Sequence, residues 1–210
     1  MKKAVIFDLN GVFVVGPMLS ERFADEKGVA IEKFLPVLKE ILPKIQMPGA
    51  ESAYSYWKPY LDSWGISMNE EEFLNFWFTA EKENAPMLEL AKELKQKGLK
   101  LFIMSNNLKE RTAYYDANFE FFKGLFNKIY YSWQTGFFKP DSRAYQLILQ
   151  ENNLQPEECI YFDDSEKNVA AANALGIESY VFAGPDHVKE KLSQNFGGCG
   201  ASAIVRAEPS

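Results

Sequence analysis

A chain of 210 residues, 47% hydrophobic and 25% charged, can bury a core of its own and is too ordinary in composition for a fibrous or disordered protein. Its formal net charge of −6, with no block of Lys or Arg, excludes the basic footprint that nucleic acid requires. No apolar stretch is long enough to span a bilayer, and in "MKKAVIF" the apolar segment is cut short by Asp8 and Asn10, which argues against a secretory leader.

The two cysteines, Cys159 in an apolar run and Cys199 in a Gly-rich tail, do not form a disulfide framework; free thiols in a reducing cytoplasm are expected. In chain order, "AVIFD" (4–8) opens as a strand whose apolar residues run without alternation, as in strands buried on both faces of a parallel sheet. Residues 16–85 then carry no buried-strand pattern. Helical segments punctuated by Pro17, Pro36, Pro43, Pro48 and Pro59 take its place. Nine aromatics crowd positions 54–78, with Trp57, Tyr60 and Trp64 at spacings of three and four. They read first as the core of a small helical bundle, and alternatively as one or two rings lining a pocket shared with the rest of the chain.

Met87, Leu90, Ala91 and Leu94 follow helical spacing up to a stop at Gly98. Strands are expected at "KLFIMS" (100–105), "KIYYSW" (128–133), "CIYFD" (159–163) and "SYVFA" (179–183). Helices "SRAYQLILQENN" and "EKNVAAANALG" separate the later ones. The alternation predicts an α/β fold, a doubly wound parallel sheet with an all-helical cap inserted after the first strand. Residues 1–15 and 86–205 would form the core domain and 16–85 the cap, with 206–210 a flexible tail. His187 follows a turn at "GPD" and is expected at the surface, without a catalytic part.

Each polar candidate ends or follows a strand: Asp8 the first, Ser105 with Asn106 the second, Lys139 the third, Asp163 and Asp164 the fourth. Taken singly, each has a plain structural explanation. Asp8 could be a turn residue, "NG" a hairpin turn, Ser105 a helix start, Lys139 a solvated loop and "DDS" a helix cap. Together they fall where the carboxyl ends of parallel strands make a ligand crevice. Three clustered carboxylates, Asp8, Asp163 and Asp164, repel unless a cation compensates, and hard oxygen ligands suit Mg²⁺. Lys139, the Ser105 hydroxyl and the backbone N–H groups beside it, Asn106 included, would meet phosphate oxygens. Asp8 could then act as a nucleophile toward phosphorus, giving an aspartyl-phosphate.

"FDLNGVF", "FIMSNN", "GFFKPD" and "YFDDSEKNVAAANALGI" together resemble the four motifs of the haloacid dehalogenase-like (HAD) hydrolase superfamily. The insertion after the first motif resembles the helical cap of its small-molecule phosphatases, sugar-1-phosphate phosphatases and β-phosphoglucomutase-like enzymes among them. The resemblance implies Asp8 as nucleophile and metal ligand, and Ser105 and Lys139 as holders of the phosphoryl group. It implies Asp163 and Asp164 as metal residues, with Asp164 the direct ligand. Position 10 normally carries an Asp, giving its backbone carbonyl to the metal and its side chain to proton transfer; here it is Asn10. A slow Mg²⁺-dependent phosphatase for a small phosphorylated metabolite, such as a sugar phosphate, is therefore expected. A phosphate-ligand binder without turnover and a haloacid dehalogenase are the alternatives, and Asn10 fits natural attenuation, a deliberate Asp-to-Asn change or a binding role.

Overall fold

The structure is a computed structural model that describes residues 2–196; Cys199 and the expected flexible tail lie outside the described residues. Its strands are β1 (Ala4–Phe7), β2 (Val14–Val15), β3 (Lys82–Glu83), β4 (Lys100–Ser105), β5 (Lys128–Tyr131), β6 (Cys159–Asp163) and β7 (Glu178–Val181). Its α-helices are α1 (Leu19–Lys27), α2 (Ile31–Ile45), α3 (Ala53–Ser63), α4 (Glu70–Phe78), α5 (Ala85–Gln96), α6 (Lys109–Asn118), α7 (Ser132–Thr135), α8 (Ser142–Asn152), α9 (Glu166–Ala174) and α10 (Pro185–Phe196).

The five strands expected from the apolar runs make one parallel sheet in the order β5-β4-β1-β6-β7. All four residues of β1 are fully buried, because the strand is paired on both edges and covered on both faces. Alternate side chains go to opposite layers. Val5 and Phe7 pack with Leu101, Ile103 and Phe162 beneath α5 and α10, whereas Ala4 and Ile6 pack with Phe102, Met104 and Tyr161 beneath α8 and α9. Helices on both faces explain why these strands show no polar alternation. Burial pushes the free Cys159 thiol up to about 12.

Several strand ends differ from the sequence reading: β1 ends at Phe7 rather than Asp8, and β7 covers Glu178–Val181 rather than 179–183. β5 stops at Tyr131, because the Ser132 hydroxyl exchanges bonds with the Asn107 backbone and the chain turns through α7 into Gly136 at φ 75°. β2 and β3 form a two-residue antiparallel ribbon where the chain leaves and re-enters the sheet region. Such a pair is too short to show a period. His187 is not a fully exposed surface residue either; it is half-buried, edge-on to Tyr180 and to Phe162 of the fourth motif.

Between the ribbon strands run α1 to α4. Helix α2 passes through Pro36 and Pro43 without ending, both rings lying on exposed positions. All nine aromatics of 54–78 join one cluster with Phe23 and Phe34, so the bundle-core reading holds. Trp57 sits at its centre, fully buried, stacked on Phe34 at 4.9 Å and close to Phe73 at 5.8 Å. No helix among the described residues is long and apolar enough to cross a membrane.

Removing the Trp57 ring leaves a cavity that the surrounding rings cannot close. Trp57→Ala should therefore cost about 3–5 kcal/mol in urea unfolding. A loss below about 1 kcal/mol would mean that this cluster is not a packed core.

Candidate active site

The sheet delivers its polar residues to one edge. The Asp8 N–H still donates to the Phe162 carbonyl at 2.9 Å, so the backbone stays in register one residue beyond β1 while the side chain enters the crevice. Asp163 closes the neighbouring strand β6 and Ser105 closes β4 on the other side. After Asp8 the chain turns tightly, with the Gly11 N–H on the Val14 carbonyl at 2.8 Å. Gly11 holds φ 84°, and a Cβ there would stand 2.6 Å from Asp164 Oδ2. The "NG" turn and the acidic site are thus one feature: only glycine allows Asp164 to come so close.

At the centre lies Lys139, buried at 4% exposure rather than in a solvated loop. Its Nζ is 2.7 Å from Asp8 Oδ1 and 2.6 Å from Asp163 Oδ2. Burial alone would lower the lysine pKa, but Asp8 and Asp163 together hold it raised. The Asp8 pKa is pushed up to about 6, first by burial and further by the Asp163 charge, against the pull of Lys139. For Asp163, burial would raise the pKa, yet Lys139, the Tyr161 hydroxyl and the Ser165 N–H hold it lowered.

The two carboxylates differ in what they have left to offer. Asp163 Oδ2 accepts from Lys139 and Tyr161, and its Oδ1 accepts from the Ser165 N–H at 2.8 Å and Asn168 Nδ2 at 2.9 Å. Asp8 spends only Oδ1, on Lys139 and the Leu9 N–H at 2.7 Å. Asp8 Oδ2 accepts no hydrogen bond among the described residues, and the Asp164 carboxylate accepts none from any other described residue. Asp8, Asp163 and Asp164 each present an oxygen within 4.8 Å of the others. With Lys139 cancelling one charge, this all-oxygen set fits a hard divalent cation such as Mg²⁺.

Asn10 is held by two bonds. Its Nδ2 donates to the Tyr115 hydroxyl at 2.7 Å, and its Oδ1 accepts from Asn107 Nδ2 at 3.2 Å. Tyr115 in turn donates to Glu81 at 2.7 Å, and Glu81 is paired with Arg111 through the Nε and Nη2 edge of its guanidinium. Ser105 is 2% exposed, with its hydroxyl accepting weakly from Asn107 at 3.4 Å. The Asn106 side chain clamps the Lys139 backbone, donating to its carbonyl and accepting from its N–H, each at 2.8 Å. Only the Asn106 backbone N–H remains for an anion.

The crevice thus brings together Asp8, Lys139, Asp163 and Asp164, with Asn10 and Ser105 tied in through Asn107. Sequence reasoning missed Tyr161, Asn168, Asn107, Tyr115, Glu81 and Arg111. Tyr161 carried a usable signal, since a residue two before Asp163 on one strand shares its face. In front of the site opens a cavity of about 450 Å³ that reaches Asn10, Asn106 and Asp164 and is walled by α2, α4 and the β2 region. A hollow of about 600 Å³ beside α8 has no charged side chain in its lining and no link to these residues.

Residues 2–176 match the family described as "Hydrolase: haloacid dehalogenase-like hydrolase". The chain is similar to "Bifunctional epoxide hydrolase 2" of Sus scrofa, 24% identical over 217 residues, covering 93% of this chain but only 39% of that protein. It is similar to "Phosphorylated carbohydrates phosphatase" of Thermotoga maritima, 28% identical, covering 84% of this chain and 82% of the relative. A HAD family enzyme of Bacteroides thetaiotaomicron, solved with magnesium and inorganic phosphate, superposes with a TM-score of 0.73 at 20% identity, over 87% of this chain and 95% of that one. That likeness establishes the fold: a five-stranded parallel sheet flanked by helices.

A buried carboxylate whose pKa is raised opposes folding wherever it is ionised. Its contribution is most favourable at low pH and fades as pH rises through the folded value near 6. In chelator, Asp8→Asn should therefore remove the loss of stability that the unaltered protein shows as pH rises from the ordinary carboxylate value of 3.8 through about 6, on top of a pH-independent cost from leaving Lys139 with Asp163 alone. Thermal melting across that pH range checks this; an unchanged pH profile in the variant would contradict it.

Proposed function

This chain belongs to the haloacid dehalogenase-like hydrolase family, and from that premise we propose that it is a slow Mg²⁺-dependent phosphatase of small phosphorylated metabolites. The observation that carries the reading is the buried Asp8–Lys139–Asp163 triad, in which Asp8 keeps one unclaimed oxygen and stands close to Asp164. Lys139 holds Asp8 by Oδ1 and so orients Oδ2 for attack on phosphorus. The Oδ2–phosphorus bond forms as the ester bond breaks, giving an aspartyl-phosphate, and water then cleaves it to return Asp8 and inorganic phosphate. Ser105, the Asn106 N–H and Lys139 take up the phosphoryl oxygens.

Asp8, Asp164 and the backbone carbonyl of Asn10 would hold Mg²⁺, with Asp163 behind them orienting Lys139. The metal would supply positive charge against the phosphate oxygens. In this reading residues 16–85 act as a cap that screens the leaving group. An all-oxygen donor set weighs against a dehalogenase, which has no need of a cation.

Asn10 sets the rate. An amide can hydrogen-bond the leaving oxygen but cannot give it a proton or take one from the attacking water. Tyr115 does not substitute for it, because its hydroxyl proton is already given to Glu81 and burial raises its pKa further. General acid–base help is typically worth about 10²–10⁴-fold, so esters with good leaving groups are favoured.

Asn10→Asp should accordingly raise hydrolysis of an alkyl phosphate at least about a hundredfold. Intact-mass and peptide analysis of the starting protein is the necessary control, since deamidation at Asn-Gly would create the same carboxylate. An unchanged rate on the alkyl ester would refute this part of the mechanism.

Asp164→Asn should raise the Mg²⁺ concentration needed for half-maximal turnover, with partial recovery at high metal, because the ligand loses charge but keeps an oxygen. Asp163→Asn should act differently. It replaces an acceptor saturated by four donors and should lower stability by about 3 kcal/mol or more by leaving Lys139 half-paired. If both variants change only the metal dependence, the division of roles between the two residues is wrong.

A further inference from the structure

We propose that the cavity bordered by Asn10, Asn106 and Asp164 takes the leaving group of an apolar phosphate ester, an alkyl or similar hydrocarbon chain, rather than a sugar. The proposal rests on the phosphatase reading above and names the substrate class of that same site.

The wall opposite the carboxylates comes from the cap. Leu38 and Leu42 of α2, with Gln46 just past its end, lie four residues apart and so present one stripe to the cavity. The two leucines are only half-buried although they belong to the cap cluster, so their outer faces are left to the cavity. Trp77 of α4 adds a ring, and Val14 and Val15 of β2 supply the floor next to Gly11. The apolar surface continues to the rim, where Val15 is 37% and Met18 62% exposed. A chain longer than the cavity could therefore leave along a hydrocarbon edge.

The polar groups on these walls are mostly occupied with one another. Arg111 is paired with Glu81, and Glu81 also accepts from Tyr115. Gln46 Nε2 donates to the Asn106 carbonyl at 3.2 Å. Both ends of the Asn10 amide are used. What remains for a leaving group, apart from the Asp164 oxygens that would go to the cation, is the Ser20 hydroxyl, the Gln46 carbonyl oxygen, the Trp77 indole N–H and Arg111 Nη1. Each hexose hydroxyl that finds no partner among them weakens binding by roughly tenfold. A methylene needs no partner and gains about fourfold in affinity on burial.

The test is calorimetric titration of the Mg²⁺-loaded full chain with methyl-, butyl- and hexylphosphonate and with glucose phosphate, beside Mg²⁺-dependent hydrolysis of p-nitrophenyl phosphate. The phosphonates are not cleaved, so the slow chemistry imposed by Asn10 does not blur the affinity. Hexylphosphonate should bind at least about thirtyfold tighter than methylphosphonate and tighter than glucose phosphate, against a ceiling of about fourfold per methylene. Leu42→Gln, at a half-buried position that tolerates a polar side chain, should shrink the chain-length gain to about threefold or less. Affinity independent of chain length, or glucose phosphate binding tightest, overturns the proposal while p-nitrophenyl phosphate hydrolysis leaves the phosphatase reading standing. Absence of both phosphonate binding and hydrolysis overturns the two together.

Discussion

A lysine buried between two buried carboxylates is the constraint around which this molecule is arranged. Lys139 alone among Asp8, Asp163 and itself carries positive charge, and each member would be costly to bury without the others. The neighbourhood answers that cost with further bonds. Tyr161, Asn168 and the Ser165 N–H saturate Asp163, and Asn106 grips the backbone on both sides of the Lys139 peptide unit. The result is a fixed positive point that orients one oxygen of Asp8 and leaves the other free. Such a device is poor for stability, as the raised pKa of Asp8 indicates, and good for placing charge before a reaction begins.

A second polar chain ties the cap to that centre. Glu81 lies at the foot of the ribbon through which the chain returns to the sheet region, and it joins Arg111 and Tyr115 of α6 to Asn10. Gln46 of α2 reaches the Asn106 carbonyl, and Glu110 of α6 accepts from the Ala53 N–H at the start of α3. The lysine site and the packing of the inserted helices therefore share a residue: Asn106 clamps Lys139 with its side chain and receives Gln46 at its carbonyl. A cap shift that broke the Gln46 contact would be felt at the residue that steadies the lysine.

The sheet and its polar strand ends were legible because parallel strands buried on both faces show as unbroken apolar runs, and a carboxylate that ends such a run stands out. Asp164 was legible for the same reason, and Lys139 only because it follows the third strand in a stretch, "GFFKPD", that resembles a family motif. The supporting residues were not, because their partners lie far away in the chain. Asn10 and Tyr115 are 105 positions apart, and Arg111 and Glu81 are 30 apart. Glu81 and Arg111 look like ordinary solvated charges on helical stretches, and Tyr161 like one more core aromatic. The nine aromatics of the cap announced a packed bundle correctly, yet nothing in their spacing marks Trp77 as the one that also meets the cavity. His187 was misplaced because a lone polar residue after a turn carries no sign of the Phe162 and Tyr180 rings that enclose it.

Charge bookkeeping also gives Asn10 a physical sense beyond a lost proton donor. The connected site holds four carboxylates, on Asp8, Asp163, Asp164 and Glu81, against two cations, on Lys139 and Arg111. Two negative charges are left over, which a single divalent ion offsets. An ionised Asp at position 10 would leave three, and would place the extra one within 2.7 Å of a Tyr115 hydroxyl that already serves Glu81. That hydroxyl could donate to only one of them, so the other would lose a buried partner. The amide avoids the conflict: it donates to Tyr115, accepts from Asn107, and leaves the tyrosine proton on Glu81. An acid–base residue at this position would therefore have to keep its proton in the resting site, as a group awaiting a leaving oxygen must, and the network built around Asn10 is the one that remains when that proton is replaced by an amide.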